Sequence, residues 1–169
     1  GELRSRLFVP GRRGTLQPEI IATARRLDRL PYPLAPRLDV LLETVAGGTP
    51  VLVMQNLALS WWPQWHYAVV IGFDARDDTV ILRSGTTRRK VMSARAFDRS
   101  WKLADRWALA VVPPESPPAV AQPREWLLAA SAFEELGQPG PAARAYLAAT
   151  QRWPDEALPW QVLANLRYA

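Results

Sequence analysis

The chain has 169 residues, of which 49% are apolar, and a formal net charge of +5. This apolar content suffices for a folded core and excludes a globally disordered chain. Cysteine is absent and His66 is the only histidine, which excludes disulfides, thiolate or multi-histidine metal sites and a cysteine nucleophile within these residues.

Charge and hydropathy patterns narrow the class of protein further. Of the 21 basic residues only Lys90 and Lys102 are lysine, and the arginines are spread along the chain. Nucleic-acid binding favours a basic stripe or patch, so we expect no nucleic-acid partner. No apolar run approaches the ~20 residues that span a bilayer, and residues 1–10 lack the regions of a signal peptide.

Two helices are predicted in the first part of the chain. Apolar residues recur at helical spacing in residues 17–27, where Pro18 is placed to open a helix. The same spacing recurs in residues 37–46, and the pair Gly47 and Gly48 then predicts the end of the helix.

A block of short apolar and β-branched segments follows and predicts strands. They lie at residues 50–57, 66–74, 79–85, 88–92 and 106–113, with a hairpin turn at 75–78 and a short helix capped by Ser93. Helices followed by mainly antiparallel strands predict an α+β fold, with the helices of residues 17–46 packed on one side of the sheet.

A proline-rich stretch divides the chain. Five of the residues 113–123 are proline, which denies that stretch both helix and sheet. We expect one domain at residues 1–113, a linker at 114–123 and a small all-α segment at 124–169.

The all-α segment has the residue spacing of a tetratricopeptide repeat, a helix pair of about 34 residues. Large residues that fill the space between the two helices alternate with small ones that let the helices approach: Trp126, Ala129, Ala130, Phe133, Ala142, Tyr146, Ala149 and Pro154. A displacement of about 34 residues leads from Trp126 to Trp160, where a second copy begins. A generic helical hairpin is the alternative.

His66 lies at the start of a predicted strand, just after a tryptophan cluster. It is either a structural residue that packs on indoles or a general base, since an imidazole titrates near neutral pH and a sheet rim gives it access and support. Trp61, Trp62 and Trp65 form either an exposed platform or a lid over the sheet. Gln55 ends the preceding strand, where it would line a cleft or cap a turn.

The segment His66, Tyr67, Val69, Val70, Gly72 and Asp74 resembles the papain-like peptidases that process double-glycine leader peptides of bacteriocins. Residues 9–26 are similar to a segment of envelope-associated members that also carry tetratricopeptide repeats. The resemblance implies a papain-type antiparallel sheet with helices, a peptide or protein substrate, His66 as the catalytic base, and no metal or organic cofactor. It also implies a protein partner for the repeats, a periplasmic or cell-envelope location, and allows a membrane anchor in the full-length protein.

The chain departs from that family at two positions. The nucleophilic cysteine of the family lies on a more N-terminal helix, so we expect this chain to lack the segment that carries it and to be inactive alone. Ser84 stands where the family has an orienting aspartate, and we expect His66 and Ser84 to meet on neighbouring strands, in a cleft whose face is apolar and exposed. Arg83, beside Ser84, is expected to make the base weaker.

Two functions therefore remain open. One is a cysteine peptidase-like domain with His66 and Ser84 as catalytic residues and with Trp61, Trp62, Trp65 and Gln55 as substrate-binding residues. The other is a non-catalytic module that binds a peptide or protein through a degenerate cleft and the repeats.

Overall fold

A computed structural model of the chain describes residues 17–168, which form six helices and six strands. In chain order these are α1 (Gln17–Arg26), β1 (Leu30–Pro33), α2 (Leu38–Ala46), β2 (Val51–Asn56), β3 (Trp65–Asp74), β4 (Thr79–Ser84), β5 (Thr87–Ser93), α3 (Ala94–Lys102), β6 (Ala108–Val112), α4 (Pro123–Glu135), α5 (Pro139–Arg152) and α6 (Ala157–Tyr168). Residues 9–16 of the similarity noted above lie outside the described part.

The described residues group into two compact units. One contains Tyr32–Val111 and Pro118–Ala121, and the other contains residues 17–31, Val112–Pro117 and residues 122–168. Helix α1 is thus grouped with the C-terminal helices. The domain boundaries at 113 and 123 stay a prediction.

The six strands form one sheet in the order β1-β6-β2-β3-β4-β5. Strand β2 pairs antiparallel with both β3 and β6, and β4 pairs antiparallel with both β3 and β5. An antiparallel sheet with helices, followed by a helical segment, confirms the predicted α+β class.

One face of the central strands carries buried apolar side chains. Val51 and Val53 of β2 lie opposite Val70 and Ala68 of β3, and all four are buried. Helix α3 packs on β2, β4 and β5. It begins after Ser93, whose hydroxyl accepts a hydrogen bond from the Ala96 N–H as the predicted cap.

The β3–β4 hairpin sets the register that matters for the site. Its turn is an Asx-type turn, in which the Asp74 carboxylate accepts from the Arg76 N–H and Asp78 adopts a left-handed backbone with φ of 48°. Val70 pairs with Leu82 but Gly72 pairs with Ile81, so the ladder carries a bulge between Val70 and Gly72.

Strand β1 was not predicted from the sequence. Its residues, Leu30–Pro33, include two prolines that cannot donate to a ladder, and β1 accordingly lies at the edge of the sheet beside β6.

The C-terminal helices form the predicted repeat. Helix α4 packs on α5 and α5 on α6, with Trp126, Phe133 and Tyr146 fully buried. The Trp126 indole donates to the Ala145 carbonyl over 3.0 Å, and the Tyr146 hydroxyl donates to the Glu134 carboxylate. These contacts confirm the antiparallel helix pair with its aromatic residues turned inward.

Candidate active site

The candidate site lies where β3 begins and β4 ends. Ala68 of β3 pairs with Ser84, so His66, two residues earlier on the same face, points toward the Ser84 side chain. The His66 Nε2 and Ser84 Oγ atoms are 2.8 Å apart, and both residues are half-buried. The predicted meeting of these two side chains is confirmed.

The hydrogen bond leaves one ring nitrogen of His66 available. Nε2 is occupied by Ser84, and Nδ1 has no hydrogen-bond partner among residues 17–168. A hydroxyl either donates or accepts, so Ser84 orients the ring but does not fix which nitrogen carries the proton. A carboxylate, which only accepts, would fix it.

Burial and the positive charge of Lys90 lower the pKa of His66 below its ordinary value. Lys90 pairs with Leu82, and this places its side chain on the His66 face of the sheet. Arg83 pairs with Val69 and lies on the opposite face. The prediction that Arg83 weakens the base was therefore wrong, because alternation along β4 turns Arg83 away from the ring.

The face that carries His66 is not exposed. The next pair of residues on this face, Val53 and Ala68, is fully buried, and α3 packs on the same face. The expectation of an exposed apolar face was wrong, since it took no account of α3.

Gln55 lies directly opposite His66 on β2, with its side chain on the same face. It is 2% exposed, and its amide donates to the Ser100 hydroxyl of α3 over 2.7 Å. Ser100 in turn donates to the Phe97 carbonyl. This burial favours a positioning role for Gln55, and its predicted contact with a substrate stays a prediction. Ser100 has no signal in the sequence, because only packing of α3 brings it to the strand.

The tryptophans are separated from the His66–Ser84 pair. Trp65 pairs with Asn56 and, by alternation, faces the side of the sheet opposite to His66. Trp61 and Trp62 lie in the connection between β2 and β3 and are 76% and 73% exposed. Of the two alternatives, exposure favours a platform, and the predicted substrate-binding role of all three stays a prediction.

The three aspartates around the β3–β4 turn lie away from the site. Asp74, Asp77 and Asp78 lie at the far end of the β3–β4 hairpin. Within the described part of the chain, no group of three or more histidine, aspartate or glutamate side chains is placed to hold a metal ion. No helix in that part is long and apolar enough to span a bilayer.

Comparisons with known proteins identify the C-terminal segment directly. The family model of the tetratricopeptide repeat matches residues 123–166. This match confirms the repeat that the residue spacing predicts. No curated protein matches the sequence closely enough to count as a relative.

The solved structures that are similar to this chain include the following two. A protein from Bacillus anthracis described as a C39-like peptidase is 17% identical, with a TM-score of 0.48 and with 59% of this chain and 60% of that chain covered. The peptidase domain of Streptococcus ComA, a bi-functional ABC transporter of a quorum-sensing pathway, is 19% identical, with a TM-score of 0.49 and with 66% and 76% covered.

Proposed function

We propose that this chain carries the histidine half of a papain-type, peptidase-like domain that acts on a peptide or protein substrate. The observation that supports the proposal is the 2.8 Å hydrogen bond between His66 Nε2 and Ser84 Oγ. It holds an imidazole at the rim of a rigid sheet, as a general base requires.

His66 is the base in this proposal, and Nδ1 is the reacting atom. The lowered pKa keeps the ring neutral near neutral pH, so Nδ1 takes a proton from a cysteine thiol. The thiolate attacks the carbonyl carbon of the peptide bond, and the imidazolium returns the proton to the leaving amine as the C–N bond breaks. Water, activated by the same nitrogen, then hydrolyses the thioester.

The cysteine is supplied from outside these 169 residues, which contain none. By itself, this peptidase-like module therefore has no hydrolytic activity. The boundary of this module at residue 113, with a linker to 123, is part of the proposal.

Ser84 limits the rate of any such reaction. A hydroxyl orients the imidazole but does not neutralise the imidazolium that forms, and loss of a triad carboxylate costs about four orders of magnitude in another peptidase. We infer that hydrolysis at this site is slow.

A second function, a non-catalytic module for peptide or protein binding, is favoured by the same residue. The chain has a serine in the orienting position and no cysteine. Peptide binding without cleavage requires neither the orienting aspartate nor the nucleophilic cysteine. The helical repeat supports a protein partner in either case, because such repeats present helix surfaces to other chains. A periplasmic or cell-envelope location, with an anchor elsewhere in the protein, accompanies the proposal.

The test is hydrolysis of a peptide library by a longer form of the protein that includes a cysteine N-terminal to Gly1. We expect cleavage that His66→Ala abolishes and that Ser84→Asp accelerates, with Thr86→Asp as the matched control in the adjoining turn. Peptide binding without cleavage in that form, unchanged by Ser84→Asp, would establish the binding module instead.

A further inference from the structure

The connection between β2 and β3, together with the first residue of β3, exposes a group of large apolar side chains, which we name the tryptophan loop. Its exposed residues are 45% to 76% accessible: Leu57, Leu59, Trp61, Trp62 and Trp65. Large apolar side chains that are exposed together on one segment are typical of a site of interaction with a protein or a membrane.

The tryptophan loop is held in place by hydrogen bonds. The buried Asn56 side chain accepts from the Ala58 and Gln64 N–H groups, over 3.0 and 2.9 Å, and donates to the Leu59 carbonyl. The Leu57 N–H donates to the Gln64 carbonyl, and Leu59 and Trp62 form a β-bridge. The indoles are therefore exposed on a loop whose backbone is held in one conformation by hydrogen bonds.

Positive charge lies near the same end of the sheet. Residues 79–93 contain four basic side chains and no acidic one, namely Arg83, Arg88, Arg89 and Lys90. Arg83 and Lys90 lie on opposite faces of the sheet, so we name the four the basic hairpin, because they share β4 and β5 but not one face. Ala68 pairs with Ser84 and Ser84 with Thr87, so the β4–β5 turn and the start of β5 lie toward the end at which β3 begins.

The negative charges of the β3–β4 hairpin lie at its other end. Asp74, Asp77 and Asp78 surround the turn, nine residues along β3 from Trp65, which is about 30 Å of extended strand. The hairpin thus has an acidic end and an end that combines indoles with cations.

We propose that the tryptophan loop and the cations of the basic hairpin dock this domain on a bilayer surface that contains anionic lipids. Indole side chains favour the interface between headgroups and acyl chains, and lysine and arginine are attracted to anionic headgroups. The apolar side chains lie at and beyond Asn56 and Trp65, the last paired residues of β2 and β3, and we infer that this connection projects from the end of the sheet. A projecting surface fits a flat bilayer, whereas an extended acidic peptide would need a groove.

The experiment measures binding of the chain to vesicles by co-sedimentation. Vesicles of phosphatidylcholine with phosphatidylglycerol are compared with vesicles of phosphatidylcholine alone. We expect the anionic vesicles to bind the chain more tightly, and added salt to weaken that binding. The double variant Trp61→Ser/Trp62→Ser should reduce binding about tenfold or more through lost apolar contact. The double variant Arg88→Gln/Arg89→Gln should reduce it about fivefold per cation removed, on anionic vesicles only.

Matched controls come from the C-terminal helices. Trp160→Ser removes an indole that is 53% exposed, and Arg124→Gln/Arg167→Gln removes two exposed cations; both variants should bind as the unchanged chain does. Vesicle binding that survives Trp61→Ser/Trp62→Ser, or no binding to anionic vesicles, would overturn the proposal. A dimer that the same variant dissociates, or an acidic peptide that binds the loop while vesicles do not, would overturn it as well. None of these readouts depends on hydrolysis, so failure here leaves the proposed function untouched.

Discussion

Gln55 and His66 lie directly opposite each other on β2 and β3 but bond in different directions. Gln55 reaches Ser100 of α3, inside the core, and His66 reaches Ser84 at the end of β4. His66 therefore stands at the boundary between the packed part of the sheet and its open rim. That position gives the ring firm support on one side and access to a reactant on the other.

Replacing Ser84 by aspartate should raise the pKa of His66. A carboxylate beside the ring stabilises the imidazolium, so we expect an increase of about one unit or more. NMR of the single imidazole as a function of pH measures it without overlap from other histidines. Thr86→Asp, which adds the same charge in the adjoining exposed turn, should give a clearly smaller increase; equal increases would mean that Ser84 has no special relation to the ring.

The lowered pKa of His66 predicts a pH dependence of stability. Between the folded-state pKa and the ordinary value near ~6.5 the unfolded chain binds more protons. The contribution is therefore fully present above the unfolded-state pKa and is lost as the pH falls through the folded-state pKa. Urea unfolding across this range should show a smaller loss of stability on acidification in His66→Gln than in the unchanged chain.

Lys90→Gln tests the electrostatic part of this shift. Removing the cation should move the pKa of His66 upward, because the positive charge of Lys90 lowers it. Arg83→Gln, on the opposite face of β4, serves as the control. A larger effect from Arg83 than from Lys90 would contradict the assignment of faces.

Much of this arrangement is predictable from local patterns, and the remainder depends on tertiary packing. The hairpin turn at residues 75–78 and period-two alternation suffice to bring His66 near Ser84. The same alternation also predicts that Arg83, which precedes Ser84 on β4, points to the face opposite to His66. The position of Lys90 on the His66 face was not predictable from the sequence. The pairing of β4 with β5 shifts register between Leu82 and Ser84, and this shift determines which residues of β5 lie on that face.

Two further features could be recognised only from the folded structure. Strand β1 has too many prolines to resemble a strand, and only its edge position makes it acceptable. The bond between Gln55 and Ser100 joins residues 45 positions apart, and no pattern in the sequence connects them.

Tyr146 should be a large contributor to the stability of the helical repeat. Its ring is buried between α4 and α5, so Tyr146→Ala should cost ~3 kcal/mol or more. Tyr146→Phe, which keeps the ring and loses the bond to Glu134, should cost about 1–3 kcal/mol. Leu147→Ala, one residue on and 44% exposed, is the control; chemical denaturation that finds it as costly as Tyr146→Ala would show that the inward face is misassigned.

Asn56 should determine the shape of the tryptophan loop. Asn56→Ala removes three hydrogen bonds to loop backbone groups, and we expect a loss of about 1–3 kcal/mol. Hydrogen exchange of the Ala58 and Gln64 amides should accelerate at the same time. Gln64→Ala changes an exposed side chain and keeps the backbone bonds; similar exchange in both variants would mean that Asn56 does not hold the loop.

Ser84 orients the His66 ring, burial and Lys90 lower its pKa, and Nδ1 is left for a reactant. Heteronuclear NMR of the imidazole nitrogens tests this most directly, since His66 is the only histidine. We expect a neutral ring near neutral pH, a hydrogen bond at Nε2 that Ser84→Ala removes, and a pKa of His66 below that of a histidine in an unstructured peptide. A pKa at or above the peptide value, or ring signals that Ser84→Ala leaves unchanged, would contradict it.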